Sequence, residues 1–129
     1  MVGIVIVSHS KNIAEGIYDL AKQMTGENHS MVFAGGLEDG SIGTDAIMIK
    51  SAIEDANKGD GVVVTVDLGS AVLSAETAIE LLEENITVKI ADAPIVEGTI
   101  AASVQASIGG NLEEVIEAAQ SARDILKLQ

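Results

Sequence analysis

GIVIVSHS, residues 3–10, is the stretch whose reading decides the fold. Val2, Ile4, Val5, Ile6 and Val7 form a nearly continuous branched run, the composition of a strand covered on both faces. Ser8-His9-Ser10-Lys11 breaks it, and a helical pattern starts at once. A residue at that break stands at the carboxyl edge of a parallel sheet, where open α/β folds place their ligand sites. The chain has no Cys and one other His, so His9 is the first candidate for chemistry.

Working outward, residues 11–24 carry Ile13, Ala14, Ile17, Leu20, Ala21 and Met24 at helical spacing, with Lys11, Glu15, Asp19 and Lys22 mostly opposite. Gly26 ends that helix, and His29 falls in a polar connection where a solvated loop histidine is expected. Residues 30–34 read as a second strand. An acidic loop follows, in which Thr44 can cap a helix over 45–57. Residues 61–66, GVVVTV, are a second strongly branched run, ending at Asp67-Leu68-Gly69-Ser70. A helix from Ser70 or Leu68-Gly69 to Glu84 turns Val72, Leu73, Ala75, Ala78, Ile79 and Leu82 largely inward. Residues 87–91 make a fourth strand. Pro94 leads into a small-residue helix over 95–107. Asn111 with Glu114 gives a capping-box-like start to a last helix over 112–126.

Strands alternating with helices imply an α/β fold: a doubly wound, mostly parallel four-stranded sheet with right-handed crossovers and helices on both faces. The expected order is 2-1-3-4, with strands 1 and 3 side by side at the switch point. The 129 residues are expected to form a single domain, residues 1–129, burying about two-thirds of the unfolded surface. The Ala/Gly/Ser-rich residues 98–110 suit close helix packing, either within the chain or across a dimer interface.

Composition narrows the function classes. A net charge of −13 and only Phe33 and Tyr18 as aromatics argue against nucleic acid. The acidity favours a basic protein partner through steering, or serves solubility alone. No stretch approaches a membrane span, and no signal peptide is recognisable. The absence of cysteine fits a reducing compartment, so a soluble cytoplasmic protein is expected. No P-loop is present, and two histidines without cysteine make a zinc site unexpected. The Asp39-Gly40-Ser41 loop lacks the glycine of a calcium loop.

If strands 1 and 3 are neighbours, His9 and Asp67 occupy equivalent strand ends. A carboxylate accepting one ring N–H fixes the imidazole tautomer and raises the basicity of the other nitrogen. Ser8, Ser10, Thr44 and Ser70 can donate hydrogen bonds, and Gly69-Ser70-Ala71 begins a helix. That setting suits a tetrahedral anion such as phosphoryl. A strand-end histidine can also be a plain polar terminus, and Asp67 can simply precede a helix; their coincidence brings the site reading level with that plain one and leaves both open. Thr44 can approach His9 from the second strand's side or only cap its helix. Ser8 is not read as a hydrolase nucleophile, because adjacent strand residues point to opposite faces.

These residues carry a resemblance. GIVIVSHSKNIAEG, GTDA (43–46), VDLGSAVLSAETAIELL (66–82) and APIVEGTIAASVQAS (93–107) are similar to the phosphotransferase subunit of phosphoenolpyruvate-dependent dihydroxyacetone kinase. That family is related to mannose-type IIA domains of the sugar phosphotransferase system. The resemblance implies a homodimeric phosphotransferase enzyme component without a cofactor. His9 would accept phosphate from HPr and pass it to ADP on the ADP-binding kinase subunit, supporting dihydroxyacetone phosphorylation in glycerol metabolism. Asp67 would orient the imidazole, with Ser10, Thr44, Gly69 and Ser70 as phosphoryl-binding candidates. Mannose-type domains have a Trp-Gly-Gly-Ser-Pro-like segment where this chain has Leu68-Gly69-Ser70-Ala71, which favours the kinase branch over sugar transport. Some family members carry fused carrier domains; this sequence would use separate ones. The alternatives are a mannose-type transport component, a flavodoxin-like ligand module, or a receiver domain, which would need an acidic pair where His9 stands.

Overall fold

In a computed structural model, which describes residues 1–128, Gly3–Ser8 forms β1 and Lys11–Thr25 forms α1. Then come β2 (Met31–Gly35), α2 (Ala46–Ala56), β3 (Val62–Val66), α3 (Gly69–Glu80), β4 (Val88–Ile90), α4 (Ile95–Ser107) and α5 (Leu112–Ser121). A 3₁₀ turn at Ala122–Asp124 follows, and Gln129, the last residue of the expected domain, lies outside the described residues. The sheet order is β2-β1-β3-β4 with every pairing parallel, the expected doubly wound α/β arrangement.

The branched runs follow from cover on both faces. Ile4, Ile6 and Val63 pack with α1, α4 and α5, whereas Val5, Val7, Val62 and Val64 pack with α2 and α3. Alternate residues of one strand therefore feed two cores, so no position on β1 is left for a polar side chain before Ser8. Small residues set the closest approaches. A Cβ on Gly35 would stand 2.7 Å from the Ser10 carbonyl oxygen and 2.9 Å from Lys11 Cα. Only glycine lets the end of β2 come that near the start of α1, and this holds the loop after β1 in place.

Several expected boundaries and faces shift. The α3 helix stops at Glu80 rather than Glu84, because Glu80, Glu83 and Glu84 oppose the negative carboxyl end of a helix. The last α-helix ends at Ser121, short of 126. Leu73, expected inward, is exposed, as are Ile13, Leu20 and Met24 of α1. Periodicity marks an apolar stripe, but the sheet covers only part of its width. The small residues of α4 (Gly98, Thr99, Ala102, Ser103 and Ala106) are buried within the chain.

Candidate phosphoryl-transfer site

The β1–β3 register pairs Val7 with Val66, and one further step sets Ser8 opposite Asp67. His9 is thus one residue past the position matching Asp67, a correction to the expected equivalence. The Asp67 carboxylate still gathers both residues. Its Oδ2 accepts from Ser8 Oγ and from the His9 backbone N–H, each at 2.9 Å. Its Oδ1 accepts from the Leu68 N–H at 2.8 Å and faces His9 Nδ1 at 2.9 Å. Partial burial pushes the Asp67 carboxyl up, but the hydrogen bonds from the His9 backbone and ring, Ser8 and Leu68 outweigh it. Together they hold the acid below its ordinary value.

An anionic carboxylate accepts, so His9 Nδ1 carries the proton and donates to Asp67. That leaves the Nε2 lone pair outward, accepting from Ser70 Oγ at 2.7 Å. The backbone of His9 is held as well, since its carbonyl accepts from the Gly43 N–H at 2.9 Å. The histidine and aspartate side chains are 19% and 15% exposed, enough for a second molecule to reach the ring. A neutral imidazole with one nitrogen fixed and the other open is a nucleophile. Beside it α3 begins without a side-chain cap, and such a helix start favours an anion.

Of the other candidates, Ser70 joins the ring directly. Ser10 is the N-cap of α1: its Oγ accepts from the Ile13 N–H, and its own N–H donates to Ser8 Oγ at 3.1 Å. Gly69 opens α3 at an exposed position where a Cβ would meet nothing within 4 Å. Thr44 does not cap α2; Asp45 does, accepting from the Ile47 and Met48 N–H groups. Thr44 Oγ1 instead bonds Ser74 Oγ at 2.6 Å, tying the loop before α2 to α3. His29 is remote from the site and is not a free loop histidine. Its Nδ1 accepts from the Met31 N–H at 3.1 Å, and its ring meets Tyr18 edge-on.

The role of Ser8 was not legible as a local motif. It is fully buried and bridges the Asp67 carboxylate to the capped end of α1. Counting the register from the two valine runs is the signal that finds it. Among the described residues, no three His, Cys, Asp or Glu side chains stand together as a metal site. A hollow of about 520 Å³ lies on the far side of Asp67, lined in part by Glu76 and Asp92. A larger one of about 590 Å³ runs along β2 and α2, away from the His9 ring.

The family model described as PTS system fructose IIA component matches residues 3–116. The chain belongs to that family. As a IIA-component chain it is 40% identical over 119 residues to "PEP-dependent dihydroxyacetone kinase 2, phosphoryl donor subunit DhaM" of Listeria innocua, covering 91% of this chain and 95% of that one. It is 43% identical to the corresponding DhaM subunit of Klebsiella michiganensis and 46% identical to that of Escherichia coli. Those matches take in 100% and 90% of this chain but 28% and 26% of the relatives, so it spans about a quarter of their length. Among solved structures, a protein of unknown function, EF1359, superposes with a TM-score of 0.82 at 37% identity, covering 93% of each chain. The component EIIA of Streptococcus agalactiae shares the fold, with a TM-score of 0.71 at 15% identity over 98% of this chain and 97% of that one. Among the described residues, no helix is long and apolar enough to cross a membrane.

Proposed function

We propose that this chain is a phosphotransferase-system phosphoryl donor subunit of a dihydroxyacetone kinase, with His9 Nε2 as the carrier atom. One observation carries the reading: His9 Nδ1 stands 2.9 Å from the Asp67 carboxylate while Nε2 faces outward to Ser70 Oγ at 2.7 Å. The DhaM relatives support the pathway. The donor is the phosphohistidine of HPr, and the acceptor is ADP on the ADP-binding subunit of the kinase. The regenerated ATP then phosphorylates dihydroxyacetone. The working unit is a cytoplasmic homodimer in which residues 1–129 form one phosphotransferase domain.

The step follows from the site. The Nε2 lone pair forms a new N–P bond as the donor's N–P bond breaks, and that electron pair returns to the donor ring. His9 keeps its Nδ1 proton and takes on positive charge, which Asp67 offsets. The Ser70 hydroxyl, no longer needed by Nε2, turns to donate to a phosphoryl oxygen, and the start of α3 favours the same anion. Onward transfer reverses these movements.

Incubation with phosphoenolpyruvate, enzyme I and HPr tests the reading. One acid-labile phosphate is expected, with a phosphorus NMR resonance of the Nε2-linked form, and His9→Gln should take up none. Labelling of His9→Gln equal to wild type sinks the assignment, and a Nδ1-linked product overturns the choice of nitrogen. Dihydroxyacetone phosphorylation in the presence of the kinase subunits tests the acceptor.

A further inference from the structure

We propose that the Thr44–Ser74 hydroxyl pair is a brace that sets Ser70 against His9 Nε2, which makes Thr44 and Ser74 positioning residues for phosphoryl uptake. This rests on the carrier reading above and adds what holds the first turn of α3 in place. Thr44 Oγ1 and Ser74 Oγ, 30 residues apart in sequence, stand 2.6 Å from each other and are part-buried. The α3 helix needs such a pin. Its buried residues are Ala71, Ala75 and Ala78, and its start has no side-chain cap. Methyl-sized side chains raise only shallow ridges, so they resist sliding of a helix along its axis weakly. Among the described residues, two side-chain hydrogen bonds leave α3: Ser70 Oγ to His9 Nε2 and Ser74 Oγ to Thr44 Oγ1. Ser70 and Ser74 are four residues apart, so they share one face about 6 Å apart along the axis. The Cβ of each leans toward the amino end, where His9 stands. A bond at Ser74 therefore fixes the height and rotation at which Ser70 meets the ring.

The loop that carries Thr44 is itself tied to His9. The Gly43 N–H donates to the His9 carbonyl at 2.9 Å. Gly43 takes a φ of 153°, where side chains are rarely found, and a Cβ there would stand 2.9 Å from Leu37 Cγ. On the other side of Thr44, Asp45 caps α2 through the Ile47 and Met48 N–H groups, which frees the Thr44 hydroxyl from that duty. The contacts close a circuit. It runs from the His9 ring to Ser70, down one helical turn to Ser74, across to Thr44, and back through Gly43 to the His9 carbonyl. Ring and backbone of the histidine are thus located against the same helix that supplies the hydroxyl at Nε2. Placement on this scale matters to the reaction, since a misplacement of about 1 Å can cost about a hundredfold in rate.

Thr44→Val and Ser74→Ala, singly and together, test the brace on the full chain, with Thr44→Ser as the rescue and Thr77→Ala as the control. The Thr77 hydroxyl donates to the Leu73 carbonyl inside α3, so its loss leaves the circuit intact. Circular dichroism melts check that each variant folds. In rapid-quench uptake from phospho-HPr, each single variant is expected to lose about 10–100-fold in maximal rate at an unchanged half-saturating concentration of phospho-HPr. The double variant should be no slower than the singles, since either change breaks the same bond. Thr44→Ser and Thr77→Ala should match wild type. In nitrogen NMR of the unphosphorylated chain, the His9 Nε2 resonance of the slow variants should move toward its position in Ser70→Ala. Uptake and an Nε2 resonance unchanged from wild type in Thr44→Val and Ser74→Ala overturn the brace while the carrier reading stands, even where the melts show lost stability. A loss confined to Thr44→Val makes that hydroxyl a direct phosphoryl contact, which also overturns the brace. A wild type that takes up no phosphate on His9 removes the carrier reading and the brace together.

Discussion

At the scale of single residues, Asp67 is the pivot, since one carboxylate holds the His9 ring, the His9 backbone and Ser8. Asp67→Asn removes the acceptor that sets the tautomer. Phosphoryl uptake from phospho-HPr should fall by about 10²–10⁴-fold in rapid-quench assays, the order seen when an imidazole loses its orienting carboxylate. The same group links stability to acid. Its folded pKa lies below the ordinary value of 3.8, so its stabilisation is complete above that value and is lost as pH falls below it toward the folded pKa. Wild type should therefore lose more stability than Asp67→Asn between pH 4 and 2, as read by urea midpoints. Ser8→Ala deprives Asp67 of a donor and the Ser10 N–H of its acceptor, at a cost of about 1–2 kcal/mol. NMR titration of the Asp67 carboxyl should then move up toward the ordinary value.

At the scale of elements, Thr65 on β3 and Thr99 on α4 share a buried hydrogen bond of 2.8 Å beneath the site. Thr65→Val or Thr99→Val alone strands one hydroxyl and should cost about 1–3 kcal/mol, whereas the double variant leaves nothing unpaired and should cost less than the sum. Thermal unfolding of the four proteins measures the coupling. Elements were also what the sequence displayed best. The valine runs of β1 and β3 can satisfy both faces only as central parallel strands, so their adjacency could be read from composition. Asn111 and Glu114 announced the start of α5 by a local hydrogen-bond pair. What escaped depended on neighbours remote in sequence. Ser8 finds its role only through the register with β3, Thr44 is drawn to Ser74 on α3, and His29 is engaged by Tyr18 one helix back. The apolar stripe of α1 was legible, but which of its residues meet the sheet was set by packing angle.

At the scale of the whole molecule, a net charge of −13 acts on any encounter over roughly a Debye length. If the acidity steers a basic partner face, the stopped-flow association rate with phospho-HPr should drop at least about tenfold between 50 and 500 mM salt. A rate insensitive to salt would reduce the acidity to a matter of solubility. The shallow setting of His9 has a consequence of a different kind, concerning time. A phosphoryl group on an Nε2 that faces outward would stand at the protein surface with water on its far side, so spontaneous hydrolysis runs against every handover. In that role the chain stays charged only while supply outpaces transfer and hydrolysis. Its labelled fraction at any moment becomes a running balance between supply and demand, a gauge as much as a relay.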